Sequence, residues 1–138
     1  MNSITSRLIM GSVAVIVMTT SASALLFNRE SDRAQEMLSQ YERTGETVTC
    51  LSLHNIRDTD AVDDFTLLVE APRGEIYLNE LNNRCIGLAR EQRYIHKTSQ
   101  NKLCKGDIIQ VVDSFGNPLG SCGLGEFEKL SKIENAGS

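Results

Sequence analysis

An all-β fold, either a small antiparallel barrel or a sandwich of about six short strands, is what this 138-residue chain predicts. Three observations predict it. Short runs rich in β-formers, some alternating apolar with polar residues, recur between Thr47 and Phe127. Tight-turn signals such as Pro72-Arg73-Gly74 and Gly116-Asn117-Pro118 separate them. Four cysteines without a C-x-x-C pair fall in the same stretch, as in small domains that staple a thin core with disulfides. Aromatic residues make up only 5% and tryptophan is absent, so Ile, Leu and Val must build that core. A domain of roughly 80 residues buries only about 60% of its unfolded surface, which leaves cross-links much to contribute.

Residues 1–24 read as a signal peptide. Arg7 supplies the positive region, Leu8 to Met18 the apolar one, and Ala22-Ser23-Ala24 the small-residue cleavage motif, which places the cut between Ala24 and Leu25. Leu8 to Phe27 carries no charge and is long enough to cross a bilayer of about 30 Å at about 1.5 Å per residue. Thr19 to Ser23 makes its second half too polar for a lasting span, so cleavage, export to the periplasm and no stable membrane span are expected. The residue after the cut is not cysteine, and nothing there marks a lipoprotein.

Residues 25–46 form a helical or linker segment. Ala34, Met37, Leu38 and Tyr41 fall at i, i+3, i+4 and i+7, a narrow apolar stripe. Asn28 or Ser31 can cap its start, and Gly45 lies just past its end. So narrow a stripe predicts a loosely docked helix. The β domain spans 47–128. Thr47 to Leu53 is its first strand, with Cys50 at the centre. The acidic run Asp58 to Asp64 lacks the central glycine and terminal glutamate of a calcium loop and reads as a solvated turn.

Phe65, Leu67, Val69 and Ala71 then alternate with polar positions, and Ile76 and Leu78 follow the turn. With Pro72 and Arg73 central in a type I turn, Val69 is expected opposite Ile76 and Leu67 opposite Leu78. Asn82 to Leu88 is a turn-rich connection, Arg93 to Thr98 a strand and Ser99 to Lys102 a loop. Asp107 to Asp113 is a short, strongly apolar strand expected to be buried on both faces, Phe115 to Pro118 a turn, and Leu119 to Phe127 a glycine-rich return strand. Lys, Ser, Asn and Gly predict a disordered tail over 129–138.

In an oxidising compartment Cys50, Cys85, Cys104 and Cys122 are expected to form two structural bridges. Thioredoxin-type chemistry and a zinc tetrahedron both call for closer thiol spacing than this chain has. Three pairings are open to four cysteines. The nested one, Cys50 to Cys122 with Cys85 to Cys104, is favoured because it would join the first and last strands, as barrel closure requires. By the chain-entropy estimate each bridge contributes about 3–4.5 kcal/mol, comparable with the whole stability of so small a domain.

The formal charge of −4 argues against a nucleic-acid partner, which calls for a basic face. Charge is nonetheless uneven: Asp58 to Glu80 is acidic and Arg84 to Lys105 basic. Two loops that attract each other account for this simply, and a basic patch for an anionic envelope component is the sharper alternative.

The pattern Cys50-Leu51 with Ile56, Tyr77-Leu78-Asn79-x-Leu81, Cys85-x-Gly87-Leu88, Leu103-Cys104-x-Gly106-Asp107-x-Ile109 and Cys122-x-Leu124-Gly125-x-Phe127 resembles a family of small four-cysteine exported domains of unknown function. That family occurs in Gram-negative bacteria, and many members are lipoproteins. The resemblance spans roughly Val48 to Phe127. It implies an exported domain with these limits and carries no mechanism.

Catalytic signatures are sparse. The sequence contains no G-x-S-x-G elbow, H-E-x-x-H pair or phosphate-binding glycine loop, and no cofactor motif. His54 and His96 lie in or near strands, where histidine is ordinarily a surface residue. Asp107 is expected to take hydrogen bonds from turn amides; should a pocket exist, Tyr94, His96 and Asp107 would line it. The expected function is a non-catalytic binding or supporting role towards an envelope protein or ligand. The alternative is a secreted inhibitor or small-ligand-binding barrel that acts on an envelope enzyme, and a hydrolase with an unusual site is the third class.

Overall fold

Residues 32–134 are described by a computed structural model, and their ten strands form three antiparallel sheets. The expected signal segment and the cut expected at Ala24–Leu25 lie outside the described residues. Five strands, in the order β1 (Tyr41–Val48), β10 (Phe127–Lys132), β5 (Ile76–Glu80), β4 (Thr66–Glu70) and β3 (Asp58–Ala61), make the largest sheet. A two-stranded sheet pairs β2 (Cys50–Ser52) with β7 (Lys102–Cys104). The third sheet has β8 (Ile108–Val112) between β6 (Tyr94–His96) and β9 (Pro118–Gly123). The large sheet ends in unpaired edges at β1 and β3, so the sandwich expectation holds and the closed barrel does not.

The sandwich interior gathers Leu67 and Val69 of β4, Leu103 of β7, Ile109 and Val111 of β8, Cys122 of β9 and Phe127 of β10. Leu88, from the single-turn helix α2 (Leu88–Glu91), closes it from one side, with no exposed area. The opposite face of the large sheet is also covered. Residues 32–38, the described part of helix α1, set Ala34, Met37 and Leu38 against Val62, Leu68, Leu78 and Leu130. The stripe read from the sequence is therefore the docking face, and the helix is packed down rather than loose. It stops before Tyr41, which joins the same cluster from β1, and Gly45 (φ 77°) serves a bulge in β1 instead of ending the helix.

Burial on both faces also explains the segment expected to be a disordered tail. β10 occupies the second position of the large sheet, with Phe127 in the interior and Leu130 under α1. Three residues apart, these two side chains point to opposite faces of a strand and leave no alternating signature. The strands accordingly run from Tyr41 to Lys132, beyond both ends of the 47–128 expected for the β domain.

The β4–β5 hairpin forms where expected, one residue out of register. Ala71 N–H donates to Glu75 O (2.8 Å), so three residues, Pro72, Arg73 and Gly74, make the loop, and the last two take positive φ. Leu68 pairs with Leu78, Val69 with Tyr77 and Leu67 with Asn79. A one-residue slip exchanges the faces of a strand. Leu78 and Ile76 consequently lie with the helix cluster, and Asn79 faces the interior with no exposed area. There its amide exchanges two hydrogen bonds with Gly125: Nδ2 donates to Gly125 O and Gly125 N–H to Oδ1, both at 2.9 Å. A β-carbon on Gly125 would stand 2.1 Å from Glu80 O, so only glycine lets the backbone approach this closely.

Both disulfides form, in a pairing that differs from the nested one. Cys50 bonds Cys104 and Cys85 bonds Cys122. The physical reason lies in the ladder: Cys50 stands directly opposite Cys104 in the β2–β7 sheet, while the first and last strands of the domain already meet through β1–β10. Barrel closure, the ground for nesting, is absent.

Candidate functional site

Sequence reasoning grouped Tyr94, His96 and Asp107, and the structure brings two of them into contact. Tyr94 and His96 share one face of β6 because they are two residues apart. His96 Nε2–H donates to Asp107 Oδ2 over 3.0 Å. The same oxygen accepts Cys104 N–H at 2.8 Å, and Asp107 N–H returns to Cys104 O at 3.0 Å. Asp107 thus closes the turn Cys104-Lys105-Gly106-Asp107, in which Gly106 takes φ 88°. His96, with 8% of its side chain exposed, ties β6 to that turn. This arrangement is a clamp: its carboxylate oxygen is committed to a backbone amide and an imidazole. Tyr94 packs against the sandwich interior, and burial raises its phenol above the ordinary tyrosine value. His54 is exposed in the 3-10 turn Leu53–Asn55.

Beside the clamp, on the outer face of the third sheet, lies an open groove of about 410 Å³ lined by Ile95, Lys97, Ile108, Gln110 and Ser121 together with Gly106 and Asp107. Ile95 and Ile108 are 43% and 60% exposed there. A second groove, of about 470 Å³, runs between β2 and the β4–β5 loop; Cys50, Ser52, Arg73 and Tyr77 are among its walls.

The β8–β9 loop, which sequence reasoning read only as a turn, carries a further feature. Phe115 at its tip is 90% exposed. Asp113 holds the loop from its base: Oδ1 accepts Phe115 N–H and Asn117 N–H at 2.8 Å each, and Oδ2 accepts Asn117 Nδ2 at 2.9 Å. Gly116 N–H reaches Asp113 O and Asp113 N–H reaches Asn117 O, both at 3.0 Å. These donors, the Asn117 side chain first, hold the Asp113 carboxyl below the usual aspartate range. The signal that could have found the loop is an aromatic residue set in the polar run Asp-Ser-Phe-Gly-Asn-Pro of a chain poor in aromatics.

Among the described residues one ion pair joins the acidic and basic stretches, where Arg84 Nε and Nη2 meet Asp64 Oδ2 at 3.2 and 3.1 Å. Asp63 accepts Phe65 N–H at 2.7 Å and Asp58 belongs to β3, so the acidic run is strand and turn. Further along, Lys105 reaches Glu126 at 2.8 Å. On the large sheet Arg43 bridges Glu80 and Glu128, which raises its own pKa and lowers that of Glu128.

Comparison with family profiles, with curated proteins and with solved structures gives no match. Several residues of the Cys50-to-Phe127 motif pattern hold structural posts. The four cysteines are bridged, Asn79 and Gly125 lock β5 to the connection between β9 and β10, and Gly106 and Asp107 shape the clamp turn.

Proposed function

We propose that this chain is an exported, disulfide-bonded binding domain of the periplasm that docks onto an envelope protein through the β8–β9 loop, without catalysing a reaction. The observation that carries this reading is Phe115: a large apolar ring held in water by a loop that Asp113 has already ordered. Exposed aromatics anchor interfaces by filling a partner's apolar pocket, and a pre-ordered loop avoids the entropy cost of stiffening on contact. The loop contains no lysine or arginine, which favours a protein pocket over an anionic lipid surface. Four paired cysteines in a chain with an apolar, cleavable leader support export, and the resemblance to four-cysteine exported domains fits the same reading.

A photo-crosslinking residue placed at position 115 of the chain in its native cells tests the proposal. One discrete adduct is expected from position 115, none from an exposed control at Glu46, and a weaker one when Asp113→Ala loosens the loop. Adducts from Glu46 and none from position 115 would count against the reading, as would recovery of the protein from the cytoplasm with four free thiols.

A further inference from the structure

Alternation along β2 and β7 decides where the sulfurs of one bridge lie. Leu51 and Leu103, paired across the ladder, turn into the sandwich interior. Cys50 and Cys104, one position away on each strand, turn to the opposite face. Cys50 is exposed and forms part of the wall of the 470 Å³ groove, with Arg73 also in that wall. Thiol–disulfide exchange begins with approach of a thiolate to one sulfur, so access is the first gate. Cys85 and Cys122, at 0% and 1% exposed, stand behind that gate.

We propose that Cys50–Cys104 is an exchange site for a low-molecular-weight thiol. The incoming thiolate enters the groove, whose wall holds the Arg73 cation and a Glu75 carboxylate already paired with Lys129, and attacks Cys50 Sγ. A mixed disulfide forms at Cys50, the Cys50–Cys104 bond breaks, and Cys104 leaves as a thiolate that takes a proton from water. A second thiolate attacks the outer sulfur of the mixed disulfide, and Cys50 leaves and is protonated in turn. Two small thiols are thereby oxidised to their disulfide while one protein disulfide is reduced.

The surrounding structure makes the exchange local and reversible. β2 and β7 form a sheet of three residue pairs that shares no ladder with the other two. Its ends are held independently of sulfur, by Lys105 N–H to Thr49 O (2.7 Å) and Leu53 N–H to Asn101 O (3.0 Å). Asp107, steadied by His96, keeps hold of Cys104 N–H. Once the bond opens, the two strands stay aligned and the two sulfurs remain neighbours, ready to close again.

The oxidised full-length chain incubated with reduced glutathione under native conditions, quenched in acid, alkylated and mapped by mass spectrometry, tests this. Glutathione is expected on Cys50, a free thiol on Cys104 and an intact Cys85–Cys122 bridge. Loss of the exposed bridge should outpace loss of the buried one by about two orders of magnitude or more, because the latter reacts only through opening of the interior. Where Cys104 resolves the adduct too quickly to trap, the Cys104→Ser variant treated with oxidised glutathione should hold a stable adduct on Cys50. Glutathione on Cys104, simultaneous loss of both bridges, or reaction of neither short of unfolding overturns the proposal, as does a Cys104→Ser chain that takes no adduct.

Discussion

Cys85–Cys122 lies inside the sandwich among Leu67, Leu88 and Ile109, whereas Cys50–Cys104 clasps a two-stranded sheet on its solvent side. Their sequence separations are 37 and 54 residues. Chain entropy alone ranks the longer loop as the more stabilising, by about 0.3 kcal/mol. Burial acts the other way: removing two core sulfurs forfeits their transfer energy and leaves a cavity, about 1–2 kcal/mol together. The second effect is larger, so position in the fold outranks loop length. The comparison also assigns different work to the two bridges, one joining α2's approach to β9 through the core, the other aligning β2 with β7.

The largest expected effect tests that ranking directly. Cys85→Ala with Cys122→Ala should cost about 5 kcal/mol or more, enough to unfold a domain of ordinary stability, as read by denaturant titration. Cys50→Ala with Cys104→Ala should cost about 3–4 kcal/mol and leave a cooperative transition. The reverse order would break the comparison. Asn79→Leu probes the same interior without sulfur. It orphans the N–H and C=O of Gly125, and a loss of about 2–3 kcal/mol is expected, with Asn79→Asp unable to restore both bonds.

On the exposed side effects should be smaller and depend on pH. Glu128 is held below the ordinary glutamate value by Arg43, and Glu75 by Lys129. A depressed carboxylate contributes stability that is whole above its unfolded value of 4.5 and disappears as pH falls through the lower folded value. Acid titration should therefore weaken the chain from about pH 4.5 downward. Arg43→Ala should flatten part of that slope, and unchanged titration curves would show that the network contributes nothing. Smallest of all, Phe115→Ala should shift the melting midpoint by less than about 0.5 kcal/mol equivalent. Asp113→Ala should act on the loop alone, seen as faster amide exchange at Phe115 and Asn117.

The legible elements were those whose side chains face one environment. α1 announced itself because its stripe is its docking face, whereas β8 was expected to be buried on both faces and covers only one: Ile109 and Val111 sit in the interior, and Ile108 is 60% exposed. The turn-clasping role of Asp107 was legible from its place after Lys105-Gly106, whereas its contact with His96 was not, since the two had been grouped only as lining of a pocket. β1 and β10 escaped. Their sequences, YERTGETV and FEKLSK, alternate weakly because β1 is a charged edge and β10 divides its two apolar anchors between two faces. The Phe115 loop escaped for another reason: exposure is a property of what surrounds a residue, and a phenylalanine in a turn looks the same whether it is covered or bare.

From its residues alone this chain declared a strand-rich domain, four cysteines suited to oxidation and a hairpin at Pro72-Arg73-Gly74, because local propensity and composition act over a few neighbouring positions. Register, sulfur partners, the open sandwich and the bare aromatic were settled only when distant segments met. A single extra loop residue at the hairpin turned Asn79 inward, and the meeting of β2 with β7 set Cys50 against Cys104. Such outcomes depend on which face of each strand is covered, and covering is a relation between parts of the chain far apart in sequence.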